Sequence, residues 1–175
     1  MSYKKWSRII GFLLCISLTL CFESMVLQVN AAEKQGGRII NVVYDDSGSM
    51  VKTDDGKAIP RWSQAKYSLE VFTAMLNEND KMNIYPMSYQ GSLGYTLTGK
   101  DKNRVKTVHD MNSSFSNTPF VAVQSAGQDL MNDSSGAEKW LVIITDGEFD
   151  DGATPKTTVQ TTIDSYNARG IKVAY

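Results

Sequence analysis

A chain of 175 residues holds one domain of ordinary size and hardly two. Its balance of 42% hydrophobic and 21% charged residues is globular, with no low-complexity tract and no internal repeat. A formal net charge of −1 gives no electrostatic reason to expect a nucleic-acid partner.

Lys4, Lys5 and Arg8 precede an apolar run from Ile9 to Phe22, and small residues follow at Ala31 and Ala32. That order predicts a secretory signal peptide over residues 1–32. The run is short for the ~30 Å of hydrocarbon a spanning helix must cross, and Glu23 ends it. An uncleaved signal anchor is the alternative. A lipid-modified cysteine is disfavoured, because neither Cys15 nor Cys21 lies among suitable small residues. Cleavage would remove both cysteines, so an exported chain would rely on its core, on a bound metal, or on both. The mature protein would be mildly acidic, which suits a cation.

Residues 33–37 are a polar, glycine-containing linker, and residues 38–175 form the predicted domain. Ile39 to Tyr44 is a β-branched apolar run, the pattern of a central parallel strand buried on both faces. It stops at Asp45-Asp46-Ser47-Gly48-Ser49-Met50. Lys52 to Pro60 is a surface loop by its turn residues. Ser63 is a candidate N-cap for a helix whose apolar face is Ala65, Leu69, Phe72 and Leu76. Met82 to Met87 predicts a second strand, with Pro86 at its end or toward an edge. Tyr95 to Thr98 follows as a short antiparallel partner. Lys102 to Met111 is a weak charged helix carrying His109, and a loop runs from Asn112 to Thr118. Pro119 suits the first position of a helix that buries Phe120, Val123, Gly127 and Leu130. Trp140 to Thr145 is another buried strand, ended by Asp146-Gly147. Val159, Ile163 and Tyr166 mark a last helix, stopped by Gly170, before a final strand from Ile171 to Tyr175. Strands alternating with amphipathic helices predict a Rossmann-like, doubly wound α/β fold with a mostly parallel sheet flanked by helices.

Ligands of such sheets bind in the crevice outside the carboxyl ends of the strands. Asp45, Ser47 and Ser49 stand there, with Gly48 allowing a tight turn. One carboxylate and two hydroxyls suit a small hard cation such as Mg²⁺, which takes oxygen ligands octahedrally and keeps some water. Thr118 and Asp146 stand at further loop positions on the same side. Each piece also has an ordinary explanation: an Asx turn at Asp45, a helix cap at Thr118, a Gly turn at Asp146.

Taken together, Val42 to Met50, Asn117 to Phe120 and Leu141 to Glu148 resemble the von Willebrand factor type A (VWA) domain. Its metal-ion-dependent adhesion site (MIDAS) uses Asp-x-Ser-x-Ser, a distant Thr and a distant Asp. The resemblance covers Arg38 to Tyr175 and implies that Asp45, Ser47, Ser49, Thr118 and Asp146 hold the metal. Ser47 and Ser49 would bind it directly, Thr118 directly or through water, and Asp45 and Asp146 through metal-bound waters. Neutral hydroxyls leave the cation electron-poor, ready for a carboxylate from a partner protein. The implied function is metal-dependent, non-enzymatic protein binding by an exported, extracytoplasmic module in adhesion or assembly, with Mg²⁺ as cofactor and Mn²⁺ or Ca²⁺ as alternatives. Family members continue past the last strand, so the resemblance also implies a domain truncated at its C-terminus, and a part of some larger surface protein is a further reading.

Asp46 departs from the pattern. It is expected to be a solvent-facing or capping acid, or else to raise local charge toward a Ca²⁺ preference. The competing chemistry is a metal-assisted phosphohydrolase or phosphotransfer domain using Asp45 and Asp146, but Lys172 lies inside a strand rather than after one. His109 is expected to be a solvated surface residue. The acidic runs Asp54-Asp55 and Glu148 to Asp151 are expected to be solvated or to offer a second cation site. Trp62 and Tyr89 are expected to pack rather than to touch a ligand.

Overall fold

The computed structural model describes residues 36–53 and 55–175. The predicted signal peptide or anchor, most of the linker, and Asp54 lie outside the described residues. Among the described residues five strands form one sheet: β1 (Arg38–Tyr44), β2 (Lys81–Pro86), β3 (Tyr95–Thr98), β4 (Glu138–Ile144) and β5 (Lys172–Ala174). Their order is β3-β2-β1-β4-β5; only β3 runs antiparallel, against β2. The mixed, mostly parallel sheet predicted from the alternation of strands and helices is therefore present.

β1 is central because it can be buried on both faces. It pairs with β2 from Ile39↔Lys81 to Tyr44↔Pro86 and with β4 from Arg38↔Glu138 to Tyr44↔Ile144. Strand side chains alternate between faces, so Ile40, Val42 and Tyr44 enter one core and Val43 the other. The first core lies under helices α1 (Arg61–Ala74) and α2 (Arg104–His109), through Leu69 and Val108. The second lies under α3 (Val121–Asn132) and α4 (Lys156–Asn167), through Val123, Leu130, Val159 and Tyr166. All four residues expected on the buried face of this helix are buried, but α3 begins at Val121, so Phe120 is its N-cap and Pro119 precedes the helix rather than opening it. Pro86 ends its strand, as its missing N–H requires. β5 lies at the edge, paired with β4 alone. Among the described residues no helix is long and apolar enough to cross a membrane.

Asn41 is buried in the middle of β1, and the sheet satisfies it. Its Nδ2 donates to the Ala126 carbonyl of α3 at 2.8 Å, and its Oδ1 accepts from Asn83 Nδ2 at 2.8 Å. Thr96 Oγ1 donates in turn to Asn83 Oδ1 at 3.0 Å. This polar ladder ties three strands to α3, since a buried amide left without partners would cost about 1–3 kcal/mol. On the far side of α3, a Cβ at Gly127 would lie 2.2 Å from Tyr166 Cζ, so glycine lets α4 close against it.

Helix starts differ from expectation. α1 begins at Arg61 after Pro60, and Ser63 sits inside the first turn with its hydroxyl donating to the Pro60 carbonyl at 2.8 Å. Ser63 therefore is not the N-cap. Proline with its preset φ opens the helix instead.

Candidate metal centre

The sheet order reverses between β1 and β4, and the crevice at their carboxyl ends is the place where such sheets receive ligands. Asp45 enters it directly after β1, its N–H still bonded to the Ile144 carbonyl of β4 at 2.9 Å. Its side chain is fully buried. Oδ1 accepts the Ser47 N–H at 3.0 Å, an Asx turn, and Oδ2 accepts the Thr145 hydroxyl at 2.8 Å. The ordinary turn reading of Asp45 is thus correct, and the same turn aims Ser47 into the crevice.

A 3₁₀ turn over Gly48–Met50 brings the Ser49 hydroxyl to 3.0 Å from that of Ser47. Glycine is not sterically required at position 48: an added Cβ would meet Phe115 only at 3.8 Å, an ordinary contact. Ser47 also bridges to Ser116 of the loop before α3, which carries Thr118 into the crevice. Thr118 is buried, and its hydroxyl donates to the Glu148 carbonyl at 2.9 Å, which leaves its lone pairs free to accept. It does not cap α3. Asp150 fills that role, with Oδ2 accepting the Phe120 N–H at 3.2 Å.

Asp146 follows β4 by two residues, and its side chain is only 13% exposed. Its Oδ2 accepts from Arg61 Nη1 at 2.7 Å, and the same nitrogen reaches the Ser49 carbonyl at 3.3 Å. Ser47, Ser49, Thr118 and Asp146 line one cavity of about 540 Å³, with Phe115 and Glu148 on its walls. Asp45 lies behind this lining. Four of the five predicted ligands therefore face one space, and the fifth supports it from below. Among the described residues no three His, Cys, Asp or Glu side chains gather into a metal-binding group. The cluster is built chiefly of hydroxyls.

Asp46 is not solvent-facing. It is 4% exposed and turned toward Ser88 after β2, where Oδ1 accepts the Ser88 N–H at 3.0 Å and Oδ2 accepts the Ser88 hydroxyl. Its carbonyl gathers the loop before α3, accepting Ser114 N–H at 2.9 Å, Phe115 N–H at 3.2 Å and the Ser113 hydroxyl at 2.9 Å. Both ends of Asp46 are thus spent on holding loops together. The acidic run after β4 is also partly structural: Phe149 is buried and Asp150 pins α3. Asp55 pairs with Lys57 at 2.7 Å.

His109 is on the surface, paired with Glu70 at 3.0 Å. Trp62 packs on Tyr44 with ring centroids 5.0 Å apart, whereas Tyr89 is 45% exposed. Lys172 stacks over Trp140 at the start of β4 and pairs with Glu138, at the opposite end of the strand from Asp146. Two residues of the site carry no local signal in the sequence. Arg61 is an ordinary first helical residue until folding sets it on Asp146. Phe115 has a φ of 57° and is 60% exposed at the cavity lip, with Lys52 Nζ 5.6 Å above its ring.

No protein-family model matches the chain, and no curated protein matches it in sequence. Solved structures do match in fold. An aerotolerance-related membrane protein from Bacteroides fragilis superposes with a TM-score of 0.57 at 20% identity, over 79% of this chain and 65% of that one. Proximal thread matrix protein 1 from the mussel byssus, described with a zinc-occupied MIDAS motif, matches with a TM-score of 0.57 at 17% identity, over 79% and 37% of the two chains. The SpRpn10 VWA domain matches with a TM-score of 0.56 at 12% identity, over 78% and 72%. This chain thus spans 65% or less of the first and second of these proteins. Sheet order, helix placement and these superpositions agree that the chain has the fold of a von Willebrand factor type A domain.

Proposed function

We propose that residues 38–175 form a binding module in which Asp45, Ser47, Ser49, Thr118 and Asp146 hold one divalent cation. Residues 1–32 direct it out of the cytoplasm in this reading, and a carboxylate of a partner protein completes the coordination. The observation that carries the proposal is the convergence of three hydroxyls and Asp146 on one cavity at the switch point of the sheet. The donor set fits the ion. Adjacent ligands on an octahedron with bonds of ~2.1 Å lie about 3 Å apart, and the Ser47 and Ser49 oxygens are 3.0 Å apart. Mg²⁺ suits such a spacing, with Mn²⁺ next; the MIDAS motif of the mussel byssus protein is occupied by zinc, so such a motif also takes other divalent ions.

When bound, the cation supplies an electrophilic position for an anionic oxygen. The chain's own residues do the rest. Asp45, buried with both oxygens occupied, fixes the Ser47 turn and holds negative charge beneath the site. That occupancy also favours binding over phosphotransfer, because it leaves no exposed oxygen on Asp45 for in-line attack. Thr118, tied to the loop after β4, brings the third hydroxyl.

The test is thermal unfolding of the chain in EDTA and in millimolar Mg²⁺, beside Ser47→Ala. A cation that binds only the folded state at ~100 times its dissociation constant adds about 2.7 kcal/mol. Wild type gains that stability and Ser47→Ala does not. Equal melting in EDTA and Mg²⁺, and likewise in Mn²⁺ and Ca²⁺, would refute the metal assignment.

A further inference from the structure

Among the described residues Arg61 is the one cation paired with the carboxylates of this centre. A single nitrogen of its guanidinium, Nη1, bridges the two halves of the site, reaching Asp146 Oδ2 after β4 and the Ser49 carbonyl after β1. The pair is asymmetric: the Asp146 side chain is 13% exposed, whereas that of Arg61 is 51% exposed. Arg61, the more exposed partner, can exchange Asp146 for water at little cost. The other carboxylate, Asp45, is held by a backbone N–H and a hydroxyl, neither of them charged. The remaining charges on the cavity wall, Lys52 and Glu148, are opposite in sign.

We propose that Arg61 is a built-in counter-cation that sets how tightly the centre holds its metal and how strongly the metal then attracts an anion. The inference rests on the metal reading of the site. Asp45 and Asp146 contribute two negative charges, and Arg61 cancels one of them. A divalent cation entering the centre shares Asp146 with the guanidinium and is repelled by it. With Arg61 in place, the loaded centre keeps a net positive charge; without Arg61, the two carboxylates would neutralise the ion. Arg61 therefore weakens binding of the metal alone and strengthens binding of an anionic ligand to the loaded site. A module built this way holds metal and carboxylate together better than it holds metal by itself.

The experiment is Mn²⁺ binding to the purified chain, followed by the paramagnetic resonance signal of free Mn²⁺, for wild type, Arg61→Met and Arg61→Lys. Methionine keeps an apolar stem and removes the charge; lysine restores the charge without the planar fork. Arg61→Met is expected to bind Mn²⁺ on the order of tenfold more tightly, the size of repulsion between a divalent ion and a half-exposed monovalent charge. Arg61→Lys is expected to stay within about twofold of wild type, a rescue that a purely steric role would not give. Arg61→Gln replaces the methionine variant should that one not fold. Unchanged or weaker binding in the uncharged variants, with wild type binding normally, overturns the role of Arg61 and leaves the metal site standing. Absence of Mn²⁺ binding from every variant overturns the metal reading itself. Binding by Arg61→Met where wild type shows none supports the proposal in its strongest form.

Discussion

Replacing Asp46 separates its role from that of the adjacent candidate ligand Asp45. The residue is 4% exposed, and its carboxylate accepts two hydrogen bonds from Ser88, one from the backbone N–H and one from the hydroxyl. Hydrogen bonds to a charged group contribute about 1.5–3 kcal/mol each. Ser88 is only half-buried, so water recovers part of that loss. Asp46→Ala is therefore expected to cost about 3 kcal/mol, a fall in Tm of roughly 10 °C at about 3 °C per kcal/mol for a domain of this size. Asp46→Asn keeps an acceptor for the Ser88 N–H and should cost about 1 kcal/mol. In both variants the Asp46 carbonyl still holds the loop before α3, so the added stability in Mg²⁺ should persist unchanged. Asp45→Ala should behave in the opposite way and lose the Mg²⁺ response. The assay is calorimetric melting in EDTA and in Mg²⁺. An Asp46→Ala protein that melts like wild type in EDTA but no longer responds to Mg²⁺ would refute the reasoning, because the carboxylate would then have to face the cation.

Two further predictions concern the frame around the site. Burial of Asp80 raises its carboxyl, but hydrogen bonds from the Arg38 side chain and from the backbone N–H groups of Arg38 and Asn77 outweigh it and hold the pKa below the ordinary value. A depressed folded pKa stabilises the protein above the unfolded value, near 3.9, and that contribution is lost as pH falls through the folded value. Asp80→Asn is thus expected to lose about 1–2 kcal/mol at pH 7, with the gap to wild type closing at the acid end of a pH series of urea titrations; a gap independent of pH would contradict the ionic account. Phe115 holds a left-handed backbone that costs an L-residue roughly 1–2 kcal/mol, and its exposed ring returns little of it by burial. Phe115→Gly should melt at the wild-type temperature or a few degrees above; a clear drop would mean that the phenyl ring serves folding rather than the cavity lip.

The local code of the chain determined the elements and the side of the sheet on which the site lies. The β-branched apolar run from Ile39 to Tyr44, polar only at Asn41, has the pattern of a central strand, and the 3.6-residue spacing of Phe120, Val123, Gly127 and Leu130 has that of one buried helix face. Asp45, Ser47 and Ser49 sit close enough in sequence for one turn to orient all three. Tertiary structure decided what depends on pairs far apart in the chain. Nothing near Asp46 says that its carboxylate turns to Ser88, 42 residues on, instead of joining Asp45. Nothing near Arg61 places it on Asp146, 85 residues away. Thr118 taken alone has the ordinary reading of a cap for α3, and it is Asp150, delivered by the loop after β4, that receives the Phe120 N–H instead. Periodicity reports which face of an element is apolar; the partners of a polar side chain are set by which loops the packed sheet brings side by side.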